Sequence, residues 1–185
     1  MSVAIVVRDK STIVVAADSM WLRQGVEVCS SPKSKIRRDD ALGLIVAFAG
    51  DGGYEDLLKG VLVQAIEKYG DEWPEQWSTM CLMSDISENM LQLCQIADVA
   101  ALVVWQGRVF QLSASGSIFE SGEPFIAIGC GADYALGAAH VLMDCYSEQR
   151  NVFDIASLAV STACTLTAFC GPPIETQIVN LGGTG

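Results

Sequence analysis

The chain has 185 residues, of which 51% are hydrophobic, and a formal net charge of −11 at pH 7. This acidic balance repels phosphate backbones and argues against a nucleic-acid partner, and no uninterrupted apolar run reaches the roughly 18 residues that a membrane-spanning helix requires. Length and apolar content predict one domain over residues 1–185 with a substantial core.

The N-terminal segment has no basic leader and no long apolar stretch, which predicts a cytoplasmic protein. Seven cysteines are scattered without Cys-x-x-Cys spacing, a pattern typical of buried reduced thiols rather than of a disulfide framework or a metal site. The only histidine is His140, within an apolar-rich run. A Ser-His-Asp triad or a histidine-bound zinc ion would depend on this residue, for which a structural role in a helix is favoured.

The first elements in chain order are two strands joined by a short turn. Segments 3–8 and 11–17 are rich in Val and Ile and are joined through residues 9–11, which predicts a hairpin. Segment 42–49 is apolar on both faces, as is typical of a strand buried between layers. A glycine-rich turn at 50–53 ends it, and a helix with a continuous apolar stripe follows.

The rest of the chain continues the alternation of helices and strands. A second helix is predicted from Pro74, a favoured first helical residue, to about Ile96. The later elements are strands at 99–105, 108–114 and 125–129, helices at about 132–147 and 153–169, and a last strand near 175–181. Two antiparallel sheets packed face to face, each covered by a helix pair, would bury every apolar face. The predicted fold class is therefore α+β, a four-layer αββα sandwich.

Ser2 is the first residue with catalytic potential. A small second residue normally permits removal of the initiator methionine, which would leave this serine with a free α-amine. An α-amine has a reference pKa of about 7.7–8.0, so a fraction is uncharged at neutral pH and able to take the hydroxyl proton. One residue would then supply both nucleophile and base, without a histidine.

Two charged residues strengthen this interpretation. Asp18 closes the second strand at the end of a buried run, and Lys35 lies in a basic cluster at 33–38. A lysine paired with such an aspartate near the Ser2 hydroxyl would favour the alkoxide. Taken alone, a basic cluster of this kind is more often a solvated surface.

In their order, these features resemble the proteasome β subunits, and most closely the bacterial HslV-type peptidases, of the N-terminal nucleophile hydrolase superfamily. The matching stretches are Ser2 to Asp18, residues 34–38, residues 46–51, and the Gly129-Cys130-Gly131 turn with the helix after it. No single motif is specific, but the order and spacing of the motifs over residues 2–181 are fairly so. The family has the αββα fold that the periodicity predicts independently.

The resemblance implies a role for each matching catalytic position. Ser2 would be the nucleophile, Asp18 and Lys35 the charged pair that tunes it, and the Ala47 backbone N–H the oxyanion-hole donor. Cys130 and Thr167 would lie near the Ser2 amine. The chain departs from the family pattern in having serine for the usual threonine at position 2, alanine for glycine at 47, and cysteine, a poorer hydrogen bonder, for serine at 130.

The resemblance also implies a substrate pocket and a cation site. The pocket for the residue preceding the scissile bond would be formed by Trp21, Ile45 and Ala49, with an apolar preference, although core packing explains Ile45 and Ala49 equally well. A monovalent cation, Na⁺, would be bound by the backbone carbonyls of Ser161, Cys164 and Thr167. No other cofactor is implied.

The activity implied by the resemblance is peptide-bond hydrolysis inside a homo-oligomer of stacked rings. Protein or peptide substrates would be delivered by an ATP-dependent unfoldase. Two alternatives stay open at this point. One is a ring subunit with the same fold and no activity, which a retained Met1 together with Cys130 would favour. The other is a small-molecule amidase on the same scaffold.

Overall fold

The computed structural model describes residues 2–23, 26–28, 34–50, 55–77, 99–113, 116–146 and 150–182, with the backbone alone at 21–23 and 26–28. Its strands are β1 Ala4–Arg8, β2 Thr12–Asp18, β3 Trp21–Arg23, β4 Val26–Val28, β5 Ile36–Asp39, β6 Leu44–Ala49, β7 Ala100–Trp105, β8 Arg108–Leu112, β9 Ile118–Ser121, β10 Phe125–Ile128 and β11 Ile174–Asn180. Its long helices are α1 Glu55–Tyr69, α2 Ala132–Tyr146 and α3 Val152–Leu166.

The strands form two antiparallel sheets and a short ribbon. The four-stranded sheet has the order β10-β1-β2-β11, and the predicted hairpin is its centre, with Val6 of β1 opposite Val15 of β2. The five-stranded sheet is a meander of order β5-β6-β7-β8-β9. The ribbon pairs β3 with β4. Strand β11 returns late in the chain to pair with β2 at the edge of the first sheet.

The core has three layers because the central strands are apolar on both faces. Ile5 and Val7 of β1 pack under α2 and α3, whereas Ala4 and Val6 pack between the sheets. Strand β6 shows the same alternation, with its even-numbered residues under α1 and its odd-numbered residues between the sheets. Period-two alternation of this kind places every second side chain on the opposite face. The resulting order of helix, sheet, sheet and helix confirms the αββα fold class.

The predicted helices at about 132–147 and 153–169 are α2 and α3. Helix α3 begins after Asn151, whose side chain caps the helix by accepting the Asp154 N–H at 2.9 Å. It ends at Leu166, earlier than predicted. Of the helix predicted from Pro74, the structure describes a helical segment over 73–77, and the remainder lies outside the described residues. Within the described residues, no helix has the length and apolar character needed to cross a membrane.

Four strands are absent from the sequence prediction, namely β3, β4, β5 and β9. Strand β5 has the sequence Ile-Arg-Arg-Asp, which reads as part of a basic cluster rather than as a strand. It forms because β6 is beside it, with Ile36 opposite Ala47 and Asp39 opposite Leu44. Strand β9 depends in the same way on β8. Such short edge strands are decided by their partner rather than by their own composition.

Candidate active site

Asp18, the last residue of β2, is fully buried, and both oxygens of its carboxylate accept hydrogen bonds. Oδ1 accepts the Val3 N–H at 2.9 Å and the Lys35 ammonium at 2.8 Å. Oδ2 accepts the backbone N–H groups of Met20 and Gly171, each at 3.1 Å. A buried carboxylate requires such partners, because an uncompensated charge in the interior is costly. Four donors therefore hold this side chain in one position.

Lys35 supplies the positive charge of a buried ion pair. Its side chain is 2% exposed, and its Nζ lies 2.8 Å from Asp18 Oδ1. The lysine precedes β5 in the five-stranded sheet, and its carbonyl accepts the Phe48 N–H at 3.1 Å. Asp18 belongs to the four-stranded sheet, so the ion pair joins the two sheets at one end of the sandwich.

Ser2 lies two residues before the start of β1 and is 1% exposed. Its Oγ accepts the Gly50 N–H at 3.2 Å. Its carbonyl accepts the Gly131 N–H at 3.3 Å and faces the Cys130 thiol, whose Sγ is 3.5 Å away. The next residue, Val3, is held by Asp18 through its N–H. The hydroxyl and the backbone of Ser2 are thus both fixed beside the ion pair.

The glycines of the Gly129-Cys130-Gly131 turn allow this close approach. Gly129 has a φ of +92°, and a Cβ on it would lie 2.2 Å from the Ser2 carbonyl oxygen. A Cβ on Gly131 would lie 2.8 Å from Cys170 Sγ and 2.9 Å from Val3 Cβ. A side chain at either position would displace the chain next to Ser2. The turn therefore packs around the Ser2 backbone because it has no Cβ atoms there.

The structure brings Ser2, Asp18, Lys35 and Cys130 together. Ala47 lies in the middle of β6, opposite Ile36 on one side and Leu102 on the other, with its side chain between the sheets. The N–H placed on the Ser2 hydroxyl is that of Gly50, which the sequence analysis did not propose. The oxyanion role of Ala47 stays a prediction. The sequence feature that could have indicated Gly50 as a donor is its position directly after a buried strand.

The structure describes the side chains of two of the three predicted pocket residues. Ile45 and Ala49 are buried between the sheets. A Cβ on Gly129 would lie 2.9 Å from Ala49 Cβ, so Ala49 borders the turn that holds Ser2. The Trp21 side chain lies outside the described part of the structure.

Thr167 and the predicted cation ligands lie at the end of α3. The Thr167 N–H donates to the Ala163 carbonyl at 3.0 Å, and its hydroxyl accepts the Phe169 N–H at 3.2 Å. Its proximity to the Ser2 amine stays a prediction. The monovalent cation site at the carbonyls of Ser161, Cys164 and Thr167 stays a prediction. The Ser161 carbonyl already accepts the Thr165 hydroxyl at 2.9 Å. No group of three or more His, Cys, Asp and Glu side chains suited to a metal ion occurs in the described ranges.

Two thiols next to the ion pair are held in the protonated form. Burial, followed by the negative charge of Asp18, raises the pKa of Cys164 from 9.0 to about 11. Burial is also the main cause that raises the pKa of Cys170, with contributions from Asp18 and the neighbouring Cys130. Because the thiol form is favoured, these side chains pack as small apolar groups around the charged site.

Similar proteins were found by sequence and by fold, although no protein-family model matches the chain. The ATP-dependent protease subunit HslV of Wolbachia sp. subsp. Brugia malayi (strain TRS) is 25% identical over 162 residues, which cover 88% of each chain. The protein of the same name from Caulobacter sp. (strain K31) is 25% identical over 170 residues, covering 88% of this chain and 86% of the relative.

Two solved structures superpose along nearly their whole length. Eukaryotic HslV from Trypanosoma brucei has a TM-score of 0.79 at 18% identity, covering 96% of this chain and 99% of that one. Thiobacillus denitrificans BPH in complex with epoxomicin has a TM-score of 0.76 at 20% identity, covering 97% and 98%. At these identities the superposition establishes the fold.

The structure combines the αββα sandwich with Ser2, Asp18 and Lys35 at one end of it. The chain is similar in sequence to HslV subunits over 88% of its length. The resemblance to the HslV-type family that the sequence indicates is therefore confirmed by both sequence and fold.

Gly129→Ala is expected to damage the site, because the new Cβ would overlap the Ser2 carbonyl oxygen in a backbone conformation that alanine rarely adopts. We expect a loss of unfolding free energy of about 2–4 kcal/mol, measured by urea denaturation. The matched control is Gly137→Ala within α2, where a Cβ meets nothing within 4 Å. Helix propensity predicts a gain there of about 0.5–1 kcal/mol. Equal stability of the two variants would contradict the packing described.

The raised pKa of Cys164 is expected to make stability fall at alkaline pH. The folded pKa is about 11, so the unfolded thiol, with its ordinary pKa of 9.0, loses its proton first as pH rises. The free energy of unfolding should therefore decrease between about pH 9 and pH 11. In Cys164→Ala the unfolding free energy should fall less steeply with pH, by the equivalent of up to about one bound proton. Cys145→Ala, which removes an exposed thiol, should leave the slope unchanged, and identical slopes in all three proteins would refute the shift.

Proposed function

We propose that this chain is a proteasome-like peptidase subunit of the HslV type, which hydrolyses peptide bonds with Ser2 as the nucleophile. The observation that carries the proposal is the buried Lys35–Asp18 pair, 2.8 Å long and directly beside the Ser2 backbone. Burying two opposite charges has a desolvation cost that packing alone does not require.

The first step is activation of the Ser2 hydroxyl. With Ser2 as the mature N-terminus, its α-amine takes the hydroxyl proton as Oγ attacks the substrate carbonyl carbon. The positive charge of Lys35 favours the developing alkoxide. This charge cannot move far, because its ammonium is bonded to a carboxylate that also holds Val3, the residue next to the nucleophile.

The tetrahedral intermediate requires donors for its oxyanion. The Gly50 N–H, 3.2 Å from Ser2 Oγ, polarises the hydroxyl in the resting site. The Ala47 N–H lies in β6, three residues before Gly50 in the sequence. It is proposed as the hydrogen-bond donor to the oxyanion itself. Collapse of the intermediate expels the amine product, which receives the proton from the α-amine. Water then attacks the acyl-enzyme, and the α-amine again takes and returns a proton.

Proteins or peptides with an apolar residue before the scissile bond are the proposed substrates. Ala49 supports this because it borders the turn around Ser2 and has an apolar side chain. Ile45 lies four residues earlier on the same face of β6. Trp21 is proposed as the third wall of the pocket.

Assembly into stacked homo-oligomeric rings is supported by the outer face of α2 and α3. Several large apolar side chains on this face and just after it are exposed, namely Tyr134, Val141, Phe153, Leu158, Leu166 and Phe169. Exposed apolar side chains in such number mark an interaction surface, and a second copy of the chain is the proposed occupant.

The two HslV relatives are named as ATP-dependent, which supports an ATP-driven unfoldase as partner. A cytoplasmic location and a structural Na⁺ at the end of α3 complete the proposal.

The alternatives are less well supported. An inactive ring subunit would not need Lys35 and Asp18 buried against Ser2, since apolar residues of similar size are often more stabilising than a buried ion pair. A small-molecule amidase would use the same residues. The HslV relatives favour a peptidase over it.

Ser2→Ala is expected to abolish hydrolysis of fluorogenic peptides with an apolar residue before the scissile bond, because it removes the nucleophilic oxygen. Ser2→Thr is the matched variant and should keep activity within about tenfold, since its hydroxyl can perform the same attack. Intact-mass spectrometry of each preparation must show loss of Met1. Equal turnover by the wild type and Ser2→Ala would disprove the role of Ser2.

Lys35→Met is expected to reduce kcat by about 100-fold or more, because it removes the charge that favours the alkoxide. It should also cost about 3–5 kcal/mol of stability, since Asp18 is left buried and unpaired. Lys59→Ala is the control: its ion pair with Asp39, 3.2 Å long, is partly exposed, and such pairs contribute about 0–1 kcal/mol. Unchanged kcat in Lys35→Met would remove Lys35 from the mechanism.

A further inference from the structure

Glu175 makes contacts beside the active site that the mechanism above does not use. It lies on β11 opposite Ala17, one position from the pairing of Ile174 with Asp18. Its Oε1 accepts the Ser19 hydroxyl at 3.3 Å. Its Oε2 accepts the Lys35 backbone N–H at 3.1 Å and contacts the Ser34 hydroxyl.

These contacts join the two segments that supply the ion pair. Ser19 follows Asp18 at the end of β2, in the four-stranded sheet. Ser34 and Lys35 precede β5, in the five-stranded sheet. The two segments come from different sheets, and one half-buried carboxylate on a third strand contacts both. Glu175 therefore links the backbones from which the two charged side chains extend towards each other.

The segment before β5 is further ordered by its own hydrogen bonds. Ser34 Oγ lies 2.8 Å from the Ile36 carbonyl oxygen and accepts the Ile36 N–H at 3.0 Å. This local turn directs the Ser34 hydroxyl and the Lys35 N–H towards the same carboxylate oxygen. Hydrogen bonds to a charged acceptor are about twice as strong as neutral ones, so Glu175 holds the turn firmly.

We propose that Glu175 is a positioning residue: by accepting the Lys35 N–H and contacting Ser34, it sets the backbone from which the Lys35 ammonium reaches Asp18. The four-carbon stem of lysine is flexible, so the place of its ammonium depends on where its Cα is held. A misplacement of about 1 Å near reacting groups can cost about 100-fold in rate. The kinetic consequence rests on the proposed peptidase function, whereas the contact with the Lys35 backbone does not.

The test compares three variants of the full chain in their assembled form. Glu175→Ala removes every acceptor, Glu175→Gln keeps one oxygen for Lys35 and Ser34, and Gln177→Ala is the control on the same face of β11. We expect kcat to fall about 10–100-fold in Glu175→Ala with KM nearly unchanged, and less in Glu175→Gln. Gln177→Ala should match the wild type. The pH dependence of kcat should keep its shape in all variants, because Glu175 holds a backbone and exchanges no proton with substrate.

A second readout is independent of activity. Amide hydrogen exchange at Lys35 should become about tenfold faster or more in Glu175→Ala, and not in Gln177→Ala, because a lost hydrogen bond lowers local protection. Unchanged exchange at Lys35, or wild-type kcat in Glu175→Ala, would overturn the proposal. A Glu175→Gln variant as slow as Glu175→Ala with a shifted pH profile would also overturn it, because Glu175 would then act in proton transfer. If the wild type shows no Ser2-dependent hydrolysis, the peptidase proposal fails, and the exchange result alone decides whether Glu175 positions Lys35.

Discussion

The ion pair between Lys35 and Asp18 is the constraint on which the site depends. Both side chains are almost completely removed from solvent, so each charge must be compensated inside the protein. Asp18 meets this requirement with the backbone N–H groups of Val3 before β1, Met20 after β2 and Gly171 before β11, in addition to the lysine. The hydrogen bonds of this one carboxylate therefore hold together three segments that flank strands of the same sheet. The ion pair with Lys35 joins that sheet to the other.

Ser2 is positioned by the same arrangement. Its neighbour Val3 is held by Asp18, while the glycine turn after β10 packs against the Ser2 carbonyl. This packing is possible because Gly129 and Gly131 have no Cβ atoms. The thiols around the site add bulk without charge, since burial keeps Cys164 and Cys170 protonated. Ser2, Asp18 and Lys35 are themselves almost completely buried, which strengthens the electrostatic effect of the lysine on Ser2.

The ion pair also has a structural consequence. A buried ion pair contributes little net stability compared with apolar packing, yet here it joins the two sheets at one end of the sandwich. Glu175 extends the same link to β11, which pairs with β2 along its full length. The end of the fold that holds Ser2, Asp18 and Lys35 is therefore also the end at which β2, β11 and the segment before β5 meet.

Sequence alone determined the hairpin of β1 and β2, the buried strand β6, helices α2 and α3, and the αββα class, because periodic apolar residues predict which faces are buried. It also predicted that Ser2, Asp18 and Lys35 belong to one site, since a carboxylate closing a buried strand and a family-like order of motifs can be read from the sequence. Only the tertiary structure decided that Gly50 donates to Ser2, that β5 and β9 are strands, and that Glu175 contacts Lys35. Glu175 and Lys35 are 140 residues apart, and a contact at that separation is set by how the strands pair, which local composition does not encode.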